Sequence, residues 1–196
     1  MSPGRQRRQE LLETLQRLAA AGGREAAQAI GRLLGRPTQV EEMNFLEGPD
    51  APGILRMVGR PDADRVAIAM DLGEPLGGRL VLLLTAEEAE QVSQRLVPDA
   101  AAGSLDVVGE SALVELGNIA GSAFVSAMAR RIEGRLLHAV PRLTRGPARH
   151  CLETLAPGAE GPALGVRFVC PEAIGTLLLL PDPDRLDGLA RLLEIP

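Results

Sequence analysis

Ser111, Glu115, Asn118 and Ser122 recur three or four positions apart within Gly109–Phe124, so on a helix they form one polar row. Leu113, Leu116, Ala120, Phe124 and Ala127 recur at the same spacing on another side. That second set is an apolar stripe, which predicts a helix over about 105–132 with one face in a core. The row is not what helix stability alone selects. It has no Lys or Arg to pair with Glu115, and Gly117 and Asn118 stand side by side where each is a poor helix former; Gly costs about 1 kcal/mol against Ala in a helix interior. A carboxamide accepts from and donates to the same water. Asn118 is therefore suited to orienting a water for reaction.

Ser111, Glu115 and Asn118, followed after 22 residues (119 to 140) by Pro141, match the signature of the CheC-type chemotaxis phosphatases, and the sequence resembles that family (CheC, CheX and FliY). The signature is Asp or Ser, three residues, Glu, two residues, Asn, then 22 residues and Pro. The words Ala112-Leu113-Val114-Glu115-Leu116-Gly117-Asn118-Ile119 are also similar to the family's usual wording. The resemblance implies hydrolysis of the aspartyl-phosphate of a CheY-like response regulator. Glu115 and Asn118 would be the catalytic pair, with Asn118 placing the attacking water and Glu115 meeting a Lys of the regulator. Ser111, Gly117, Gly121 and Ser122 would belong to the partner-binding surface, the two glycines by admitting the partner's backbone. Pro141 would be structural, fixing the chain as it leaves the helix. The regulator would supply the acidic pocket and its Mg²⁺, so no cofactor or metal is expected on this chain. Some family members bind the receptor deamidase CheD, a further partner to which no residue here can be assigned. The alternative is a non-catalytic binding module, of the kind of the middle domain of the flagellar switch protein FliM, which resembles CheC; the intact Glu115/Asn118 pair argues against it.

Composition narrows the classes. The 196 residues are 45% hydrophobic and 24% charged, with no Trp or Tyr and three Phe, so the core is built from Leu, Val, Ile and Ala in an ordinary soluble chain. The formal charge is −5, which disfavours nucleic acid as a partner because phosphate backbones need a basic face. All 21 basic residues are Arg, which removes Lys-based covalent and general-base chemistry. Cys151 and Cys170 have no zinc or redox spacing, and the adjacency of His150 and Cys151 does not make a catalytic pair. The apolar runs Leu80–Leu84 and Leu177–Leu180 are too short to cross a bilayer, and the arginine-bearing N-terminus has no apolar signal region. A cytoplasmic protein without a membrane partner is expected.

The elements that must hold the row repeat themselves. A long helix over 7–34, bent at Gly22-Gly23, is followed by an extended 38–46, a short strand 54–58, a hairpin of 66–72 and 79–84, and a helix to about 96 opened by the Thr85/Glu88 capping box. After a break at 98–103 comes the motif helix, an extended 136–143, a short strand 151–155, strands 165–169 and 176–180, and a last helix to about 193. The offset is about 97 residues, the mark of a duplicated unit. The expected fold is α+β: one domain over 1–196 made of two pseudo-repeats (about 1–98 and 104–196) sharing a largely antiparallel sheet with both long helices on one face. The first copy lacks the signature. Gln16 or Arg17 stands where Glu115 stands, Ala19 or Ala20 where Asn118 stands, and Met43 where Pro141 stands. A residue needed only by the fold would be needed in both copies.

Overall fold

The computed structural model describes residues 3–47, 53–54, 57, 59–98, 105–132, 135–155, 161–170 and 174–195. Helix α1 (Pro3–Leu34) leads into strand β1 (Gln39–Leu46), then β2 (Asp64–Asp71), β3 (Arg79–Thr85) and α2 (Ala86–Leu96). Helix α3 (Val107–Ile132) opens the second half, followed by β4 (Arg142–Pro147), α4 (Ala148–Leu155), β5 (Ala163–Val169), β6 (Ile174–Leu180), a 3-10 turn (Pro183–Arg185) and α5 (Leu186–Leu192). The six strands form one antiparallel sheet in the order β1-β5-β6-β3-β2-β4. Exchanging β1 with β4, β2 with β5 and β3 with β6 returns the same order read backwards. Across the central β3–β6 pair, Val81 faces Leu178, its counterpart at the sequence offset.

Both sheet faces are buried, which is why the central strands read as unbroken apolar runs. On one face Val66, Ile68, Met70, Leu80, Leu82, Val166 and Leu177 pack beneath α1, α2 and α3. On the other, Ala67, Ala69, Val81, Leu83 and Leu178 pack with Ile54, Ala148, Cys151 and Leu152. By length and composition α3 is apolar enough to cross a membrane, but here Leu113, Leu116, Ala120, Phe124 and Met128 are core residues packed with those of α1 and β2.

The short segments differ from the sequence reading. Residues 151–155, expected as a strand, lie in α4, and Gly53, Ile54 and Met57 are helical where 54–58 was expected as a strand. Ala148, Cys151 and Leu152 are all buried, a three-and-four spacing that turns one helical face to the sheet; a short apolar run does not by itself separate strand from helix. Helix α1 is continuous across Gly22-Gly23. Those glycines permit close packing: a Cβ on Gly22 would lie 2.7 Å from the Phe124 ring, and one on Gly23 2.7 Å from Val166 Cγ1. The Thr85 capping box forms, Thr85 Oγ1 accepting from Glu88 N at 3.1 Å and Glu88 Oε2 from Thr85 N at 2.6 Å. The break at 98–103 falls mostly outside the described residues.

Candidate functional site

Three contacts set the pose of α3. Asp106 caps its start, Oδ1 accepting from Gly109 N at 2.8 Å, which satisfies one of the donors a helix N-terminus leaves free. Gly109 sits against α2, where a Cβ would meet Ser93 Oγ at 2.3 Å. Further along, the apolar stripe packs on α1 and the sheet. The opposite side is left at the surface: Val107, Ser111, Glu115 and Ser122 are exposed and Asn118 is half-buried.

Within this row, Asn118 Nδ2 donates to Glu115 Oε2 at 3.4 Å, near the long limit of a hydrogen bond. Among the described residues Glu115 makes no ion pair, although seven carboxylate-bearing residues elsewhere on the surface do. An exposed, long amide–carboxylate contact is worth little net stability, so a docking partner could displace it at small cost. The pair therefore presents an uncompensated carboxylate and an amide one turn apart, free to meet a cation and a water. Ser111 is spent locally: its Oγ donates to the main-chain oxygen of Val107 at 2.9 Å.

Gly117 and Gly121 do not open the helix surface to a partner. Both are buried on the sheet side, where a Cβ on Gly117 would lie 2.5 Å from Ile68 Cγ2 and one on Gly121 2.3 Å from Met70 Sδ. They let α3 approach β2, which is the physical reason two poor helix formers occur in its middle. Pro141 is also placed differently. It is buried nine residues beyond the end of α3, immediately before β4, so it shapes the entry to a strand and not the exit from the helix.

Ser122 has a partner that the sequence pattern did not reveal. Its Oγ lies 2.9 Å from His138 Nε2, and His138 Nδ1 lies 2.8 Å from the main-chain oxygen of Ala139. His138 rides on a segment pinned to the end of β2: Gly73 N donates to Leu137 O at 2.9 Å and Ala139 N to Asp71 O at 2.8 Å. The Asp71 carboxylate in turn accepts from Arg79 of β3 at 2.7 Å and Arg142 of β4 at 2.8 Å. Leu137 and Val140 are 55% and 82% exposed, and Val107, at the other end of the row, is 79% exposed. The polar row thus ends in exposed apolar side chains at both extremities.

The other candidates are set aside by the same geometry. Cys151 is buried, its Sγ directed at the main-chain oxygen of Gly146 at 3.6 Å, and burial pushes its thiol above the ordinary value. That is the reverse of an activated nucleophile. Among the described residues no group of three or more His, Cys, Asp or Glu side chains is placed to hold a metal ion.

No protein-family model matches the sequence, nor does any curated protein. Solved structures do. FliY from Thermotoga maritima superposes with a TM-score of 0.69 at 12% identity, over 99% of this chain and 98% of that one. The FliM middle domain from H. pylori gives 0.62 at 11%, over 93% and 98%. CheX from Borrelia burgdorferi, solved as a complex with CheY, BeF3 and Mg²⁺, gives 0.55 at 18%, over 83% and 97%. At these identities the likeness is one of architecture: the chain has the fold of the CheC, CheX and FliY proteins, a fold that the FliM middle domain shares.

Proposed function

We propose that this protein is a phosphatase of a phosphorylated CheY-like response regulator, acting in cytoplasmic chemotaxis signalling. The observation that carries the reading is the pair of exposed Glu115 and half-buried Asn118 at the surface, without an ion-pair partner among the described residues, on one of two long helices of this fold. Asn118 holds a water in line with the phosphorus of the regulator's aspartyl-phosphate. The water oxygen bonds to phosphorus as the phosphorus–oxygen bond to the aspartate breaks, the aspartate returns as a carboxylate, and inorganic phosphate carries away the water's oxygen. Asn118 is not a base strong enough to take the water's proton. Its contribution is orientation, and the proton passes to phosphate oxygen or solvent. Glu115 docks by meeting a cation of the regulator. Mg²⁺ belongs to the regulator's acidic pocket in this scheme. The CheX relative solved with CheY, BeF3 and Mg²⁺ supports a regulator of that kind as the partner.

A second reading has support of its own. The FliM middle domain has this fold, and a scaffold that binds a regulator without dephosphorylating it would use the same face. Phosphate release from a phosphorylated CheY-like regulator, with and without Mg²⁺, separates the two. Release accelerated by this protein and dependent on Mg²⁺ is the expected result. Binding of the regulator without acceleration would leave the scaffold reading in its place.

A further inference from the structure

The hydrogen bonds around Ser122 determine which nitrogen of His138 carries a proton. Nδ1 faces a main-chain carbonyl, Ala139 O, which can only accept, so Nδ1 is protonated. In the neutral imidazole Nε2 is then a lone pair, and the Ser122 hydroxyl donates to it. An imidazolium would reverse this bond: Nε2–H would donate to Ser122 Oγ, and the hydroxyl proton would need another acceptor. The same helix shows which one. Ser111 donates to the carbonyl four residues back, that of Val107, and four residues back from Ser122 is the carbonyl of Asn118. Back-bonding of this kind tilts the turn it engages, and here that turn carries the amide that places the water.

We propose that His138 is a positioning residue of the site: as the neutral imidazole it holds the Ser122 hydroxyl away from the main-chain carbonyl of Asn118. The inference rests on the phosphatase reading above. His138 touches neither the water nor the phosphoryl group; it acts through Ser122 on the pose of Asn118. The imidazole lies against the Gly121–Ser122 turn, 3.7 Å from where a Cβ of Gly121 would stand. The charged groups around it are Asp71 on β2 with its two arginines, Arg79 on β3 and Arg142 on β4, and Glu115 two turns away on α3.

The test is phosphate release from the phosphorylated regulator at one fixed pH, with kcat and KM separated. His138→Gln keeps an acceptor for Ser122 and should retain wild-type kcat. His138→Ala should be slower by about 5-fold, the scale of one lost hydrogen bond, with KM unchanged. In a Ser122→Ala background, His138→Ala should have no further effect. An active wild type beside a His138→Gln protein as slow as His138→Ala, or Ser122 and His138 effects that multiply independently, would overturn the inference and leave the phosphatase reading standing. A wild type with no phosphatase activity would end both.

Discussion

The two long helices occupy corresponding places on the same sheet face, yet they differ in which residues they share. Gly23 of α1 and Gly121 of α3 do the same work: each removes a side chain where the helix crosses a central strand, at Val166 of β5 and Met70 of β2 respectively. The outward faces have nothing in common. On α1 that face is a ladder of local pairs, with Gln6 donating to Glu10, Gln9 to Glu13, and Arg17 to Thr14, the pattern of a solvated helix. On α3 it is Val107, Ser111, Glu115, Asn118 and Ser122, with one unpaired carboxylate. What both helices keep is explained by the fold. What only α3 carries is not explained by the fold, and it is there that function is to be sought.

The largest effect should come from removing the α3-specific amide. Asn118→Ala is expected to lower kcat by about 10²-fold or more, the usual consequence of losing one preorganised polar group at a reacting centre, with regulator binding largely kept. Glu115→Ala should be milder in kcat and should raise KM, and the KM effect should shrink as salt screens the ionic contact. Neither side chain is in the core, so both variants should melt within about 0.5 kcal/mol of wild type. Steady-state kinetics at two ionic strengths, with thermal melts, checks all three statements. An Asn118→Ala protein that folds and turns over normally would put the scaffold reading first.

The shared glycines should behave in the opposite way, affecting stability and only secondarily rate. Gly23→Ala and Gly121→Ala each force a Cβ against a buried side chain, an overpacking cost of about 1–3 kcal/mol. Gaining Ala in a helix returns about 1 kcal/mol of this. The net cost, up to about 2 kcal/mol, should lower both Tm values by a similar amount, roughly 2–4 °C per kcal/mol for a chain of this size. If Gly121→Ala were neutral in the melt but abolished regulator binding, the glycine would face the partner after all.

This division also explains what the sequence made legible. The motif helix, the hairpin strands, the Thr85 capping box and the sheet class are written in local spacing, and spacing survives in a sequence. Gly117 and Gly121 were visible as oddities, but the reason for them was not: a glycine that opens a surface and a glycine that closes a helix on a strand look alike until Ile68 and Met70 are in place. Residues 151–155 read as a strand because a run this short fits either period. His138 left no trace, because its relation to Ser122 is made by the chain returning along the end of β2, not by spacing. The palindromic strand order is what a duplicated unit would leave. Superposing the backbones of the two halves is the measurement for the duplication itself.

The smallest expected effect is the most exacting for the comparison. Arg17 is exposed on α1, and its bond to Thr14 Oγ1, at 2.8 Å, is local to one turn. Ala20 is half-buried beside it. At the register that sets Gly23 opposite Gly121, these two residues stand where Glu115 and Asn118 stand. Arg17→Ala removes one exposed side chain–side chain bond and substitutes a better helix former, so stability should move by less than about 0.5 kcal/mol. Turnover and regulator binding should not move at all, because the amide and the carboxylate to which the proposed function assigns water placement and docking are both on α3. Installing Glu at 17 and Asn at 20 should likewise confer no second site: the first half has Met43, on β1, where the signature has Pro141, and the pair would lack the surroundings that pose Asn118. A collapse of phosphatase activity in Arg17→Ala, with an unchanged melt, would mean that the regulator straddles both helices. The difference between the helices would then mark two halves of one interface, not a working copy beside a silent one.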